Sequence, residues 1–588
     1  MFTRQAHFKI HPVAFLAISW MFVCSPGATA QNISPDKKPE PITGIITGQV
    51  VNENGQPFPN ALVYAVSPVA SMQRMATTDS GGSFKFDGLD SALYLLFAAA
   101  PGYVMPARAQ EAEPDYHRLN DSVTLRLTKG GVITGTVVSA SGEPVVQVAV
   151  RATLVLDANG RPPKSVGFQL PRATDDRGIY RIYGLPPGTY VVSAGGRNSF
   201  GGGDAYDQDA PTYAPSSTRD TAAQISINGD ETNVDIKYRG DTGHAVSGSL
   251  TGLSDASSNA SFNISLMQID NAAALLAAVS FAPPGANTFS LYGVADGDYE
   301  LTAQSFSPSG VGGISEPRRI SVKGADVTGI VLNIKPLGSI SGQVALAKSE
   351  LAECKNKRQP LFSEILIATR RKELPSEPPR FYPSQGVPEQ SGAFQIRSLT
   401  PGQYSLSTRF FAKYWFLKSI VQQTGATAPA AAKGAVANNQ NDLARNGVTL
   451  KSGENISRVT VTLAEGAASF HGSLKLETGQ TVPPKLFVYL MPAEKESAED
   501  VLRFFASEVG SDGVFALNNL PPGRYWALGQ ISSNNEPSSE MKLRLPAEAD
   551  VRAELRRAAE AGKLLVELKP CQNMIDYQLP VSLALGKN

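Results

Sequence analysis

Residues 518–528 read NNLPPGRYWAL, and residues 183–193 read YGLPPGTYVVS. The same sentence is written five times: GGSFKFDGLDSALYLLFA (81–98), DRGIYRIYGLPPGTYVVSA (176–194), GANTFSLYGVADGDYELTA (285–303), SGAFQIRSLTPGQYSLS (391–407) and SDGVFALNNLPPGRYWAL (511–528). Aligned, the apolar positions repeat. Phe84, Phe86, Leu89, Tyr94 and Leu96 correspond to Tyr180, Ile182, Leu185, Tyr190 and Val192, and so on to Phe515, Leu517, Leu520, Tyr525 and Ala527. Within each half they are two apart, the period of a strand with one face buried. Between the halves, Pro-Gly or an equivalent suggests a type II turn, with proline presetting φ and glycine taking the positive angle. The expectation is a hairpin per copy, its tyrosine in the core.

The five tyrosines (Tyr94, Tyr190, Tyr299, Tyr404, Tyr525) are spaced as small domains are. A second element precedes each hairpin: ITGQVV, ITGTVV, VSGSL, ISGQVA and FHGSL. A third, as in DSVTLRLTKG and NISRVTVTLAEG, alternates tightly and runs into the next unit. Short strands at regular spacing with turn signals indicate sandwiches. The expected fold is all-β, a tandem array of about five β-sandwiches over 42–129, 130–239, 240–336, 337–465 and 466–588. The last carries helix in AEKESAEDVLRFFASEVG and AEADVRAELRRAAEAGK. Linkers of a few residues imply a string of touching domains.

Composition agrees. Lys+Arg and Asp+Glu both total 53, charged residues are 18%, and 53 Gly with 41 Pro make the chain turn-rich. Such a balance gives no electrostatic reason to seek nucleic acid or an anionic membrane. At the N-terminus, Arg4 and Lys9 precede the apolar run Pro12–Cys24 and the small-residue site Ala28–Ala30. This reads as a cleaved secretion signal over 1–30, followed by a linker over 31–41. The apolar run is shorter than the roughly 20 residues a spanning helix needs, and no later stretch is long enough. The expected location is the periplasm, the outer-membrane surface or the medium. Cys354 and Cys571 remain after the signal, and an oxidising compartment would let them pair across the last two domains.

ITGQVVNENGQPFPNALVYA with TTDSGGSFKFDGL resembles the carboxypeptidase regulatory-like domain, a transthyretin-like or carbohydrate-binding-like sandwich. The likeness is strong in the first two copies. It is confined to the hairpin in the last three, which lose much of the early Gly-Pro turn. The end, LLVELKPCQNMIDYQL, is similar to that of large secreted repeat proteins of soil bacteria. These resemblances imply an exported, non-catalytic accessory architecture and supply no ligand.

Chemistry finds little purchase. TTDSGGSF (77–84) looks like a serine-nucleophile region, but only His7 and His11 precede Ser80, both in the signal. A serine without a base is a weak nucleophile, so the stretch reads as a turn. His117, His244 and His471 fall in three different modules, without the converging ligands zinc requires. No phosphate loop or dinucleotide fingerprint is written, so no cofactor is expected. Asp204, Asp207 and Asp209 in GGGDAYDQDAPTY offer hard oxygens for calcium, against a solvated insertion as the plainer reading.

Aromatics out of register with the core are the candidate ligand-binding residues. Trp526 follows Tyr525 and so faces the other way; Phe411 and Trp415 have the parity opposite to Tyr404; Tyr206 and Tyr213 lie in the insertion. Exposed, they could stack on sugar rings. The alternative is packing against a neighbouring domain or the inserted helix. The sequence thus suggests a non-enzymatic binding protein of the envelope, carbohydrate-associated or, alternatively, a scaffold or accessory subunit binding proteins.

Overall fold

A computed structural model describes residues 43–67, 73–106, 114–163, 171–196, 205–252, 260–269, 274–306, 312–372, 384–423, 440–475, 482–532 and 540–580. The expected signal and linker, and Asp204, lie outside them. Five sandwiches follow one another, each around its own hydrophobic core. In each, the unit's first strand lies in a front sheet between an antiparallel and a parallel partner. In the first sandwich Thr43–Val51 pairs antiparallel with Ser83–Asp90 and parallel with Ser122–Arg126. The back sheet orders Arg74–Thr77, Leu62–Val66, Tyr94–Ala99 and Tyr116–His117. The fifth repeats this with Ala468–Lys475 between Val514–Leu520 and Asn573–Pro580, backed by Phe505–Glu508, Leu486–Pro492, Gly523–Ile531 and Leu565–Leu568. In the third, the two sheets run into one another through Gly313–Ser315.

This topology corrects the hairpin. Ser83–Asp90 and Tyr94–Ala99 do not pair with each other; one joins the front sheet and the other the back. The Pro-Gly segment is a corner crossing between sheets. Nor is it a type II turn, since Gly188 takes φ 156° and Gly523 145°, far from the roughly +80° of that turn. A Cβ on Gly188 would sit 2.5 Å from the Leu156 carbonyl oxygen, so the corner has no room for one.

The recurrent tyrosine does two things. Its ring enters the core, with Tyr190 and Tyr525 at most 1% exposed. Its hydroxyl donates back to the carbonyl four residues earlier: Tyr94 to Asp90 at 2.9 Å, Tyr190 to Pro186 at 2.7 Å, Tyr299 to Ala295 at 2.8 Å, Tyr404 to Thr400 at 2.7 Å and Tyr525 to Pro521 at 2.8 Å. The corner is pinned to the ring that fills the space beneath it, the tyrosine-corner device of β-sandwiches. Burial pushes the phenols of Tyr190, Tyr299 and Tyr525 well above the ordinary value, keeping them donors. Tyr525→Phe leaves the Pro521 carbonyl without that donor and should cost about 1–3 kcal/mol. Denaturant unfolding followed at the adjacent Trp526 checks it; an unchanged midpoint would mean the bond carries nothing.

The helical expectation holds for one of two segments. Ala549–Gly562 is a helix; residues 493–510 instead form two short 3-10 turns and the strand Phe505–Glu508. Phe504 and Phe505 explain the difference. Successive strand residues point to opposite faces, and these two fill the space behind the sheet and the core in front of it.

The sandwiches do not form a simple string. Neighbours in sequence touch, as in the Gly243 N–H to Gln208 carbonyl bond (2.8 Å) and the Leu337 N–H to Gly312 carbonyl bond (3.0 Å). The first sandwich also docks on the fourth. Leu93 and Tyr116 pack with Leu366, Val387 and Phe411. Around them Ser91 meets Ser363 at 2.8 Å, Tyr116 donates to Gln385 at 3.0 Å, and Arg118 and Arg409 reach the carbonyls of Phe411 and Pro114. A disulfide joins Cys354 to Cys571, Cα–Cα 5.5 Å, tying the fourth sandwich to the fifth. Asn519 reinforces that joint by donating to the carbonyls of Ala412 and Trp415.

Candidate binding surface

The structure places every candidate aromatic against protein. Trp415 is 0% exposed, inside the fourth core. Parity counted from Tyr404 fails there because the strand ends at Phe410 and a turn over Ala412–Tyr414 starts a new one at Trp415. Phe411 lies in the joint with the first sandwich, beneath Arg118 and Arg409. Trp526 does face away from Tyr525, but the helix Ala549–Gly562 covers that side. Tyr213 packs with Val155, Val191 and Leu275 where the second sandwich meets the third. Tyr206 packs edge-on against Tyr238, and its hydroxyl donates to the Val146 carbonyl at 3.1 Å. These residues form no shared platform, and the exposure that stacking on a sugar needs is missing at Trp415.

The other candidates resolve similarly. Asp79 accepts from the backbone N–H groups of Gly81 and Ser83, so TTDSGGSF is a turn held by its aspartate. Asp209 accepts from the Tyr238 hydroxyl at 2.7 Å. Among the described residues no group of three His, Cys, Asp or Glu side chains could hold a metal, and no helix is long and apolar enough to cross a membrane.

What stands exposed instead is sheet face. Strand alternation puts Leu62, Tyr64 and Val66 on the outside of the first back sheet while Val63 and Ala65 enter the core. Register then sets Tyr64 directly between Met75 and Phe97 on the flanking strands. Met75 is 62% exposed, Phe97 45% and Leu62 37%. This row is continuous with Leu95 and Leu93, which enter the joint with the fourth sandwich. The third sandwich shows a smaller counterpart, with Phe281, Leu276 and Phe306 exposed on one face and the first of them 67% exposed.

The remaining three back faces are covered by the chain itself. Leu275, Tyr213 and Ala222 cover the second, at Val155 and Val191. The first sandwich covers the fourth at Leu366. The helix Ala549–Gly562, with Leu543, covers the fifth at Phe487, Tyr489 and Met491. The open faces lie apart from the out-of-register aromatics Trp526, Phe411 and Trp415 and from the insertion carrying Tyr206 and Tyr213. The signal was available: Tyr64 alternates with Val63 and Ala65, and Phe97 stands three residues past the corner tyrosine. The same parity rule would also have found Tyr183 and Tyr292, exposed on the front sheets of the second and third sandwiches.

Fold and surface together describe a jointed array of β-sandwiches with uncovered apolar faces. Residues 45–125, within the first sandwich, match the model of the carboxypeptidase regulatory-like domain. No curated protein matches the chain. Among solved structures, the Bacillus anthracis TIE protein is similar at 16% identity and TM-score 0.14, over 50% of this chain and 51% of that one. The chain thus spans about half the length of that neighbour. The minor pilin GBS52 of Streptococcus agalactiae is similar at 15% identity and TM-score 0.18, over 33% of this chain and 96% of its own. A putative polysaccharide binding protein from Bacteroides thetaiotaomicron follows at 7% identity and TM-score 0.17, over 28% and 76%.

Proposed function

We propose that this chain is an exported, non-catalytic scaffold of the cell envelope or its surroundings that binds other proteins through uncovered sheet faces. The observation that supports it is the contrast between the back faces. Three are sealed by the chain's own segments, while Met75, Phe97 and Leu62 on the first and Phe281 on the third stand in solvent. Contiguous apolar surface of this kind marks interaction sites on soluble proteins. A disulfide across two modules suits an oxidising compartment and so fits export. Cross-linking in the envelope of producing cells should trap this chain with a stable protein partner. Consistently solitary protein would remove the reading.

A second reading, carbohydrate binding, draws on Tyr183 and Tyr292, which are 42% and 39% exposed. Arg172 lies over the Tyr183 ring at 4.9 Å, so a guanidinium donor for sugar hydroxyls stands on that ring. Retention on an insoluble polysaccharide that is lost in Tyr183→Ala would support it. Absence of retention on every glycan of an array would dispose of it.

A further inference from the structure

The fifth sandwich shows what a back face of this chain's sandwiches takes when it is covered. Counting from the corner tyrosine, Phe97 of the first sandwich stands where Leu528 stands in the fifth. Across the ladder Phe97 pairs with Tyr64, and Leu528 pairs with Tyr489. One strand further out, Tyr64 pairs with Met75 and Tyr489 with Ala506. Leu62, Tyr64 and Val66 therefore occupy the register positions of Phe487, Tyr489 and Met491, and a tyrosine sits at the centre of both faces. In the fifth, that face is packed by one side of the amphipathic helix Ala549–Gly562, through Val551, Leu555 and Ala559. Its other side is polar. Arg552, itself buried, and Arg556 flank the packed stripe and donate to the backbone carbonyls of Leu543, Leu545, Pro492 and Ala493.

The first sandwich has the same surface and no helix on it among the described residues. Its Leu93–Leu95 end is already buried against the fourth sandwich, so the open row borders an existing apolar joint. We propose that the Leu62, Tyr64, Met75 and Phe97 face is the docking site for an amphipathic α-helix from a partner protein. The helix would lie across the sheet as Ala549–Gly562 lies across the fifth. Helix-in-groove recognition of this sort uses one apolar stripe with residues three and four apart. Met75 and Phe97 supply the adaptable and the broad contact, as exposed methionine and aromatics do at such sites. The inference rests on the protein-binding reading above and names the shape of the partner.

The test replaces Met75 with a photoreactive residue, Met75→p-benzoylphenylalanine, in producing cells, with Phe281→p-benzoylphenylalanine as a parallel probe. The expected product at position 75 is one segment of a second protein. Made as a peptide, that segment should gain helical circular dichroism on binding the purified chain. Phe97→Asp and Leu62→Asp should each weaken binding on the order of tenfold or more, with calorimetric unfolding of the whole chain unchanged. A cross-link to another copy's first sandwich, to a glycan, or to a segment that binds without helical gain would overturn the proposal. Silence at position 75 with a protein captured at 281 overturns the helix site and leaves the scaffold reading intact. Silence at both removes both.

Discussion

Gly342→Val should unfold the fourth sandwich, at a cost above about 4 kcal/mol, the range reserved for backbone clashes and core disruption. Gly342 lies at the centre of that sandwich's first strand, where the last strand runs parallel to it. The last strand shifts register there, with Arg458 at φ 59°, and this turns the Val459 carbonyl onto Gly342. A Cβ would fall inside the van der Waals envelope of that oxygen and of the Val459 side chain. Backbone on both sides cannot step aside without breaking the ladder. The same contact recurs at Gly48, Gly135, Gly248 and Gly472, against the carbonyls of Val123, Val234, Ile330 and Tyr577. Trp415, buried in the same core, reports the outcome by its fluorescence. Gly562→Ala is the control: nothing lies within 4 Å of that position at the end of the helix, and the change should be neutral to about 1 kcal/mol stabilising. A Gly342→Val chain with a native melt at Trp415 would refute the steric account.

Removing the disulfide with Cys354→Ser and Cys571→Ser should loosen the fifth sandwich from the fourth and lower the stability of that pair by about 2–5 kcal/mol. The cysteines are 217 residues apart, and a cross-link closing so long a loop removes correspondingly more freedom from the unfolded chain. The direct contacts persist in the variant, chiefly the Asn519 bonds and that of Asn573 to Tyr414. The two modules should therefore still meet, with separate melts at Trp415 and Trp526 where the oxidised chain shows one. Alkylation before and after reduction gives the supporting observation: two thiols appear only after reduction. Coincident, unshifted melts in the double variant would show that the bridge carries no stability.

Repetition made the fold legible. Five copies of one alternating pattern fix the number of sandwiches and put the right rings inside, because strand parity is a local property. What escaped was non-local. A corner between sheets and a hairpin share the same sequence signature, since both need two strands and a sharp bend; only the partners of Ser83–Asp90 and Tyr94–Ala99 tell them apart. The tyrosine hydroxyl was hidden for the same reason, its acceptor being the bend itself. For the surface, parity misled at Trp415, where one strand ends and another begins. It was right at Trp526, but nothing in the local sequence says that a helix more than twenty residues later lies over that indole. Phe411 likewise meets a module whose residues are about three hundred positions away.

The return of the first sandwich onto the fourth governs how tension would travel. A pull applied at residues 43 and 580 would be shared between the covalent path through the second and third sandwiches and the shorter path across the Tyr116–Phe411 contact. Once that non-covalent latch yields, the covalent path through the second and third sandwiches would carry the whole load between the first module and the fourth.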